Sequence, residues 1–298
     1  MGLMPLSDDL RALRLVSQRC VWPARAQLGE NPRWSRRLQR LYWIDIPKGT
    51  VHAYEPATRR RWSARLGAEI GALVQTNTGD LMVGLNDGLW RLSPDLLLGE
   101  PVARVAGLPP DCRLNDGACD PAGRLWLASM HRQGKAALGG LYRLDPDGHG
   151  AWVDDGYKIA NGPAISADGR VLYLADSPLR VIYRLVLDGR GERADKSVFV
   201  RFGEDEGYPD GMTLDSTGHL WVAHYDVGRV TRFSSEGQRL QQFTLPVRNV
   251  TACAFGGPRL STLFVTTARQ GWRRWDWLRQ PRAGGLFALE LEPGWAEL

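Results

Sequence analysis

Residues 216–223 read Ser-Thr-Gly-His-Leu-Trp-Val-Ala, in which a turn with a glycine leads into a short apolar segment. Six matching apolar segments start 40 to 48 residues apart, at Leu41, Leu81, Leu125, Leu172, Leu220 and Leu263. Four of them follow a turn whose glycine is suited to a positive φ, namely Gly79, Gly123, Gly169 and Gly218. A second apolar segment follows most of them, so each unit is predicted to contain about four short strands.

A repeat of this length and strand content is typical of a β-propeller blade. Six units fill the chain, and we therefore predict an all-β, six-bladed β-propeller that forms a single domain over residues 1–298. A protein of two β-sandwich domains would have no reason to keep one period from Leu41 to Leu263. A strand near Leu13 to Trp22 is expected to pair with the last blade.

The composition is that of an ordinary globular protein, with 298 residues, 43% hydrophobic and 24% charged. The net charge of +5 comes without a nucleic-acid-binding motif, so nucleic acid is not an expected partner. No apolar run reaches the roughly 18 residues of a membrane helix, and charged residues interrupt Met1–Cys20, which argues against a membrane partner and a signal peptide. The four cysteines show no metal or disulfide pattern, and the expected location is cytoplasmic.

Residues at one phase of a propeller repeat form a ring around the central channel. Glu30 and Asn161 lie 11 residues before the leucine that starts their segment, Asp210 lies 10 before it, and Asn115 has the same place in the third unit. Oxygen donors converging from separate strands predict a site for Ca²⁺, Mg²⁺ or Mn²⁺, with Zn²⁺ as a further alternative. The other interpretation is that these residues cap turns, but three at one phase favour a metal site.

Further polar residues are expected at the same end of the channel. Positions four residues after each starting leucine return to that end, and they make Asp176 and His224, with nearby His131, candidates either for the rim of the site or for supporting the residues that contact a ligand. A structural hydrogen-bonding role is the alternative for each of them. Three more residues are expected near the level of the ring: Glu69, Asn249 and Thr251.

Six short stretches occur in a characteristic order: Gly29–Trp34, Arg113–Gly117, Asp120–Arg124, Ile159–Gly162, Pro209–Met212 and Leu278–Phe287. Together they resemble the gluconolactonase/regucalcin (senescence marker protein) family over nearly the whole chain. The resemblance implies a six-bladed propeller that acts as a sugar-lactone hydrolase with one divalent metal in the central channel.

The resemblance also implies roles for individual residues. The metal-binding residues of the family fall on Glu30, Asn161 and Asp210, and its substrate-binding positions fall on Arg113, Asn115 and Asp116, the last as a supporting carboxylate. The chain departs from the family pattern after Met130. Residues 131–135 read His-Arg-Gln-Gly-Lys, where animal regucalcins carry acidic residues, one of which reaches the substrate.

The sequence therefore predicts a lactonase of carbohydrate metabolism that hydrolyses an aldonolactone, such as gluconolactone, to the aldonic acid. Ca²⁺ is the first expectation for the metal, which would polarise the carbonyl and help to activate water. Asp210 is predicted to take a proton from that water and return it to the ring oxygen, with Asp116 as the second choice. Arg113 and Asn115 would position the sugar through directional hydrogen bonds.

Other functions stay open at this point. The same metal site could serve a phosphotriester or organophosphate hydrolase, or the protein could be a calcium-binding or interaction propeller without catalytic activity. In the last case the tryptophan-rich segment Gly271–Trp277 would be a contact surface, although such a segment also suits a packed loop. The chain has no GxSxG or HExxH motif, so the covalent serine and zincin mechanisms lack their sequence signatures.

Overall fold

Twenty-four strands form six four-stranded antiparallel sheets in the computed structural model, which describes residues 13–86, 88–271 and 276–292. Each sheet is one blade, and the six blades surround a central channel. The all-β, six-bladed propeller predicted from the repeat is confirmed. The α-helix Asp276–Arg279 has only four residues, and no helix within these ranges is long and apolar enough to cross a membrane.

The strands follow the chain in order within blades 1 to 5, whereas blade 6 combines the first strand with the last three. Blade 6 contains β1 (Leu15–Trp22) and β22 to β24 (Val250–Gly256, Thr262–Thr267 and Leu286–Leu291). Blade 1 contains β2 to β5 (Gly29–Ser35, Arg40–Asp45, Thr50–Glu55 and Arg60–Arg65). Blade 2 contains β6 to β9 (Ile70–Gln75, Leu81–Leu85, Gly88–Leu92 and Leu98–Arg104).

The other three blades repeat this arrangement. Blade 3 contains β10 to β13 (Cys112–Cys119, Leu125–His131, Gly139–Leu144 and Gly150–Tyr157). Blade 4 contains β14 to β17 (Ala160–Ile165, Val171–Asp176, Val181–Leu187 and Arg193–Arg201). Blade 5 contains β18 to β21 (Tyr208–Leu214, Leu220–Tyr225, Arg229–Phe233 and Arg239–Thr244).

The sequence repeat corresponds to the second strand of each blade, where all six apolar segments lie. The four turn glycines have the positive φ that the pattern predicts, between 69° at Gly169 and 87° at Gly79. The turns of blades 3 and 5 share a further contact, because an aspartate of each turn accepts a hydrogen bond from the indole of the following strand. The distances are 2.9 Å from Trp126 to Asp120 and 2.9 Å from Trp221 to Asp215. A buried indole N–H thereby finds its partner locally.

The hydrophobic core is divided among the interfaces between blades. The buried apolar residues described form six clusters, and each cluster joins two neighbouring blades. Trp221 of blade 5 illustrates the packing, since its ring meets the edge of Phe255 in blade 6 at a centroid distance of 5.5 Å. Blades are therefore held together by apolar contact, and each second strand supplies much of it.

The first strand of each blade lines the channel, and these six strands contact one another in a closed ring. They approach so closely that two glycines are required. A Cβ at Gly71 would lie 2.3 Å from the carbonyl oxygen of Leu114, and one at Gly211 would lie 2.4 Å from the Cβ of Ala252. This close approach brings side chains from different blades within reach of one another.

The propeller is closed by strands from distant parts of the chain. β1 pairs antiparallel with β24, with Gln18 opposite Leu289 and Cys20 opposite Phe287. It forms the outer edge of blade 6, whose other three strands come from the end of the described chain. The predicted pairing of the Leu13 to Trp22 segment with the last blade is confirmed.

Candidate metal and substrate site

A cavity of about 530 Å³ opens at the end of the channel where the first strands begin. Its polar lining includes Glu30, Asn115, Asn161 and Asp210, which come from blades 1, 3, 4 and 5. Their convergence from four blades agrees with the ring that the repeat predicts. Its size falls within the range of pockets for small molecules.

A β-bulge near the start of each first strand directs these side chains. The pairing with the second strand shifts register at one level in all six blades, for example around Asn115 and between Pro209 and Met212. Glu30, Asn115, Asn161 and Asp210 lie in or beside these irregularities. Bulges re-aim side chains and are common next to active sites, which explains how neighbouring strands present donors to one point.

Glu30 and Asp210 are buried carboxylates, exposed by only 5% and 6%. Neither has an ion-pair partner within 4 Å in the described part of the chain, and Glu30 accepts a 3.2 Å hydrogen bond from the backbone of Asn31. Burial and the nearby charge of Asp116 raise the pKa of Glu30 to about 8. Burial and the charge of Glu30 raise the pKa of Asp210 well above its ordinary value. Each of these two buried acids makes ionisation of the other less favourable, and a bound cation would stabilise the ionised form of both.

The donors around these carboxylates are amides rather than further acids. The described residues contain no group of three or more His, Cys, Asp or Glu side chains that could hold a metal ion. A cation here would therefore combine the two carboxylates with an amide oxygen, as Asn161 provides. This all-oxygen set fits a hard divalent cation.

Hydrogen bonds fix the orientation of the two asparagines. Asn115 donates from Nδ2 to Oδ1 of Asn161 at 2.6 Å and to the carbonyl oxygen of Ala160 at 3.0 Å. Asn161 in turn donates to Oγ of Ser177 at 2.9 Å, and that hydroxyl donates to the carbonyl oxygen of Pro209 at 2.6 Å. The network runs from blade 3 to the strand that carries Asp210, so the amides are positioned before any ligand arrives.

Arg113 lies beside this network and lines the cavity. Its Nη1 donates to Oδ1 of Asn115 and to the carbonyl oxygen of Leu114, each at 2.8 Å, and its Nε lies 3.5 Å from Oε1 of Glu69. Its Nη2 has no partner among the described residues. Arg113 and Asn115 thus form one rigid unit with a donor left for a ligand, consistent with the predicted substrate contact.

Asp116 lies behind the cavity rather than on its wall. Its Oδ1 accepts hydrogen bonds from Nη2 of Arg33 at 2.8 Å and from the backbone of Gly117 at 2.7 Å. The structure therefore places Asp116 where it supports the strand of Asn115, and not where it would contact a substrate directly.

The expected rim residues four positions after each starting leucine do not reach the cavity. The carboxylate of Asp176 accepts hydrogen bonds from the backbone amides of Lys158 and Ile159, at 3.2 and 3.4 Å. Nδ1 of His224 contacts the carbonyl oxygen of Glu206 at 2.9 Å. The expectation of rim contacts for these residues is wrong, because alternate side chains of a strand face opposite sides.

His131 is also absent from the cavity lining. Its Nδ1 accepts hydrogen bonds from the backbone amides of Gln133 and Lys135, at 3.2 and 3.3 Å, and so holds the turn after β11. The geometry therefore supports the alternative interpretation, in which His131 has a structural role.

The residues that do form the rim lie one position further along. Met130, Ser177 and Tyr225 are five residues after their starting leucines, and all three line the cavity. Counting one more residue in each repeat would have found them. Tyr208, the neighbour of Tyr225 across the strand pair, adds a second aromatic wall.

Three residues expected near the ring support it without lining the cavity. Glu69 contacts Arg113, and Nδ2 of Asn249 donates to the hydroxyl of Tyr225 at 3.1 Å. Thr251 donates to the carbonyl oxygen of Gly29 at 2.5 Å, next to Glu30. Within the segment Gly271–Trp277, residues 272–275 lie outside the described residues.

The burial of His224 makes a prediction for stability. It is 1% exposed, and burial lowers its pKa from 6.5 to about 4. Between these pH values the unfolded chain binds a proton that the folded protein excludes, so stability is lost as the pH falls through this window. His224→Phe retains an aromatic ring against Phe202 but has no group that binds this proton. When the pH falls from 7 to 4, we therefore expect the free energy of unfolding to decrease less in His224→Phe than in wild type, by up to about 3 kcal/mol.

Denaturant titrations at a series of pH values measure this difference. The exposed His149 offers a matched control for the removal of a histidine, because its side chain is 88% exposed and His149→Phe leaves the environment of His224 intact. An equal decrease in the free energy of unfolding between pH 7 and pH 4 for wild type and His224→Phe would contradict the prediction.

Fold and site together define a propeller with an oxygen-lined small-molecule cavity at the end of its channel. The chain belongs to the SMP-30/Gluconolactonase/LRE-like family, whose profile matches residues 28–269. It is 34% identical over 281 residues to the 6-deoxy-6-sulfogluconolactonase of Pseudomonas putida, which covers 94% of this chain and 97% of that one. It is 36% identical over 243 residues to the pentonolactonase XacC of Haloferax volcanii, with 81% and 82% covered.

A solved structure agrees with these relatives. The calcium-binding protein regucalcin from Agrobacterium tumefaciens superposes with a TM-score of 0.86 at 26% identity, over 95% of this chain and 97% of that chain. The family resemblance seen in the sequence motifs is confirmed.

Proposed function

We propose that this chain hydrolyses a sugar lactone to the aldonic acid, using a divalent cation bound by Glu30, Asn161 and Asp210. The observation that carries the proposal is a pair of buried carboxylates that have no ion-pair partner within 4 Å among the described residues and lie beside fixed amides in a small-molecule cavity. Relatives named as lactonases over most of their length support the reaction class.

The donor set supports a hard cation, and Ca²⁺ is the first candidate, followed by Mg²⁺, Mn²⁺ and Zn²⁺. A solved relative is described as a calcium-binding protein. When bound, such a cation would polarise the lactone carbonyl as a Lewis acid.

The protein's own residues would hold the sugar and move the proton. Nη2 of Arg113, free of partners in the described part of the chain, would donate to a sugar oxygen, while Asn115 holds the guanidinium in place. The carboxylate of Asp210 would accept a proton from the attacking water and deliver it to the ring oxygen as the C–O bond breaks. Asp116 is less suited to this step, because its carboxylate is paired with Arg33.

Metal removal tests the proposal. We expect turnover of glucono-1,5-lactone, followed by proton release, to fall at least about 100-fold after chelation and to recover when Ca²⁺ or another divalent cation is added. Full activity in protein shown by elemental analysis to be metal-free would contradict the metal requirement. Faster turnover of a phosphotriester than of every aldonolactone would move the function to the alternative hydrolase class, and metal binding without either turnover would favour a calcium-binding propeller.

A further inference from the structure

The rim of the cavity carries a second arginine that the proposed reaction does not use. Arg132 follows directly after β11, lines the cavity, and has a side chain 45% exposed. Its Nη1 contacts Oε2 of Glu69 at 2.5 Å, and Oε1 of the same carboxylate lies 3.5 Å from Arg113. Nε and Nη2 of Arg132 have no hydrogen-bond partner within the described ranges. Its backbone amide donates to the carbonyl oxygen of Asp111 at 2.8 Å, which fixes the base of the side chain.

Positive and negative charges do not balance on the side of the cavity where Arg132 lies. Glu30 and Asp210 together balance a dication, so the metal and its carboxylates contribute no net charge. Arg113 and Arg132 share the single carboxylate of Glu69, which leaves one positive charge uncompensated among the described charged residues that line or touch the cavity. A neutral sugar lactone would not use that charge.

The two arginines lie on a different side of the cavity from the predicted metal ligands. Glu30, Asn161 and Asp210 belong to blades 1, 4 and 5, whereas Arg113 and Arg132 belong to blade 3 and Glu69 precedes β6 of blade 2. A lactone whose carbonyl lies at the metal ligands can therefore extend its far end toward blade 3. A guanidinium there presents paired N–H donors that match the oxygens of a phosphate, sulfonate or carboxylate.

We propose that Arg132 binds an anionic group on the substrate, so that the preferred lactones carry a phosphate, sulfonate or carboxylate at the end remote from the lactone carbonyl. This inference rests on the lactonase function proposed above. Arg132 acts on specificity and takes no part in bond breaking.

Paired substrates test the inference. The kcat/KM values of glucono-1,5-lactone, 6-phosphoglucono-1,5-lactone, its 6-sulfo analogue and glucaro-1,4-lactone would be compared for wild type and Arg132→Gln. We expect Arg132→Gln to lower kcat/KM about tenfold more for the favoured anionic lactone than for the neutral lactone. The three anionic arms show which group the site prefers.

Two further variants sharpen the result. Glu69→Gln frees both arginines and should raise kcat/KM for anionic lactones, the opposite sign to Arg132→Gln. Arg60→Gln removes an equal charge from the exposed outer strand of blade 1 and should change neither class of substrate. An Arg132→Gln effect that is equal for neutral and anionic lactones, or absent from both, would overturn the inference.

A binding measurement separates this inference from the reaction itself. Calorimetry would compare gluconate with 6-phosphogluconate on the metal-loaded protein, where we expect the phosphate to raise affinity about tenfold in wild type and not in Arg132→Gln. Such binding without turnover of any lactone would overturn the lactonase proposal and leave the anion site standing. Turnover of the neutral lactone with no Arg132-dependent binding would do the reverse.

Discussion

Asp210→Asn is expected to lower kcat for lactone hydrolysis by at least about 1,000-fold and to weaken metal binding below detection. The substitution keeps the size of the side chain but removes both an anionic ligand and the proposed proton acceptor, each of which contributes strongly to such a reaction. Proton-release assays and calorimetric metal titration measure the two losses. Asp195→Asn, on the exposed outer strand of blade 4, is the matched control and should behave as wild type.

The same variant should be more stable than wild type in the absence of metal. Because burial and the charge of Glu30 raise the pKa of Asp210, keeping the ionised carboxylate inside the protein costs free energy at neutral pH. Its removal should raise the free energy of unfolding in chelator, while added Ca²⁺ should stabilise wild type alone. A metal-free Asp210→Asn protein less stable than wild type would show that Asp210 has a structural role instead.

Asn31→Ala is expected to lower the free energy of unfolding by about 3–5 kcal/mol, a shift in Tm of about 5–8 °C. This fully buried side chain joins three blades, since its Oδ1 accepts from the backbone of Leu73 at 2.9 Å and its Nδ2 donates to the carbonyl oxygen of Asn115 at 3.3 Å. Alanine leaves these two buried backbone groups without partners. It must also adopt the φ of +50° at this position, which asparagine tolerates better.

Asn31→Gly separates the two causes, because glycine accepts the positive φ but also loses the hydrogen bonds. We expect the glycine variant to recover only about 1 kcal/mol of the loss. Thermal and denaturant unfolding of metal-loaded protein measure both variants. A loss below about 1 kcal/mol for Asn31→Ala would mean that this amide does not hold the blades together.

The fold could be predicted from the sequence because each blade contributes one copy of the same apolar segment, and these copies recur at regular intervals. Every blade must place an apolar second strand against its neighbours, and the leucine at the start of that strand appears at regular intervals. The convergence of Glu30, Asn161 and Asp210 on one cavity follows from the same counting. A ring of blades converts equal sequence phase into spatial proximity.

Counting residues along the repeat did not predict which side chains line the cavity, because a shift of one residue moves a side chain to the opposite face of a strand. His224 and Tyr225 are adjacent in sequence, yet the first packs against Phe202 behind the wall and the second lines the cavity. Asp116 and Asn115 differ in the same way, because the bulge at Asn115 turns one toward the cavity and leaves the other with Arg33. Arg132 gave no signal in the repeat, since its place depends on the turn that follows β11, and only the departure of residues 131–135 from the family pattern pointed to it.

The pairing of β1 with β24 has a consequence for how the protein is made. The two partners lie about 270 residues apart, so at a synthesis rate of roughly 5–20 residues per second the first strand waits on the order of 15–55 s for its partner to leave the ribosome. During that time its unpaired backbone is an open edge, and Gln18 and Arg19 near its middle make it less attractive to other nascent chains. Closure of the ring is thus a late, long-range event in biogenesis, and the final blade can be completed only after β24 has been translated.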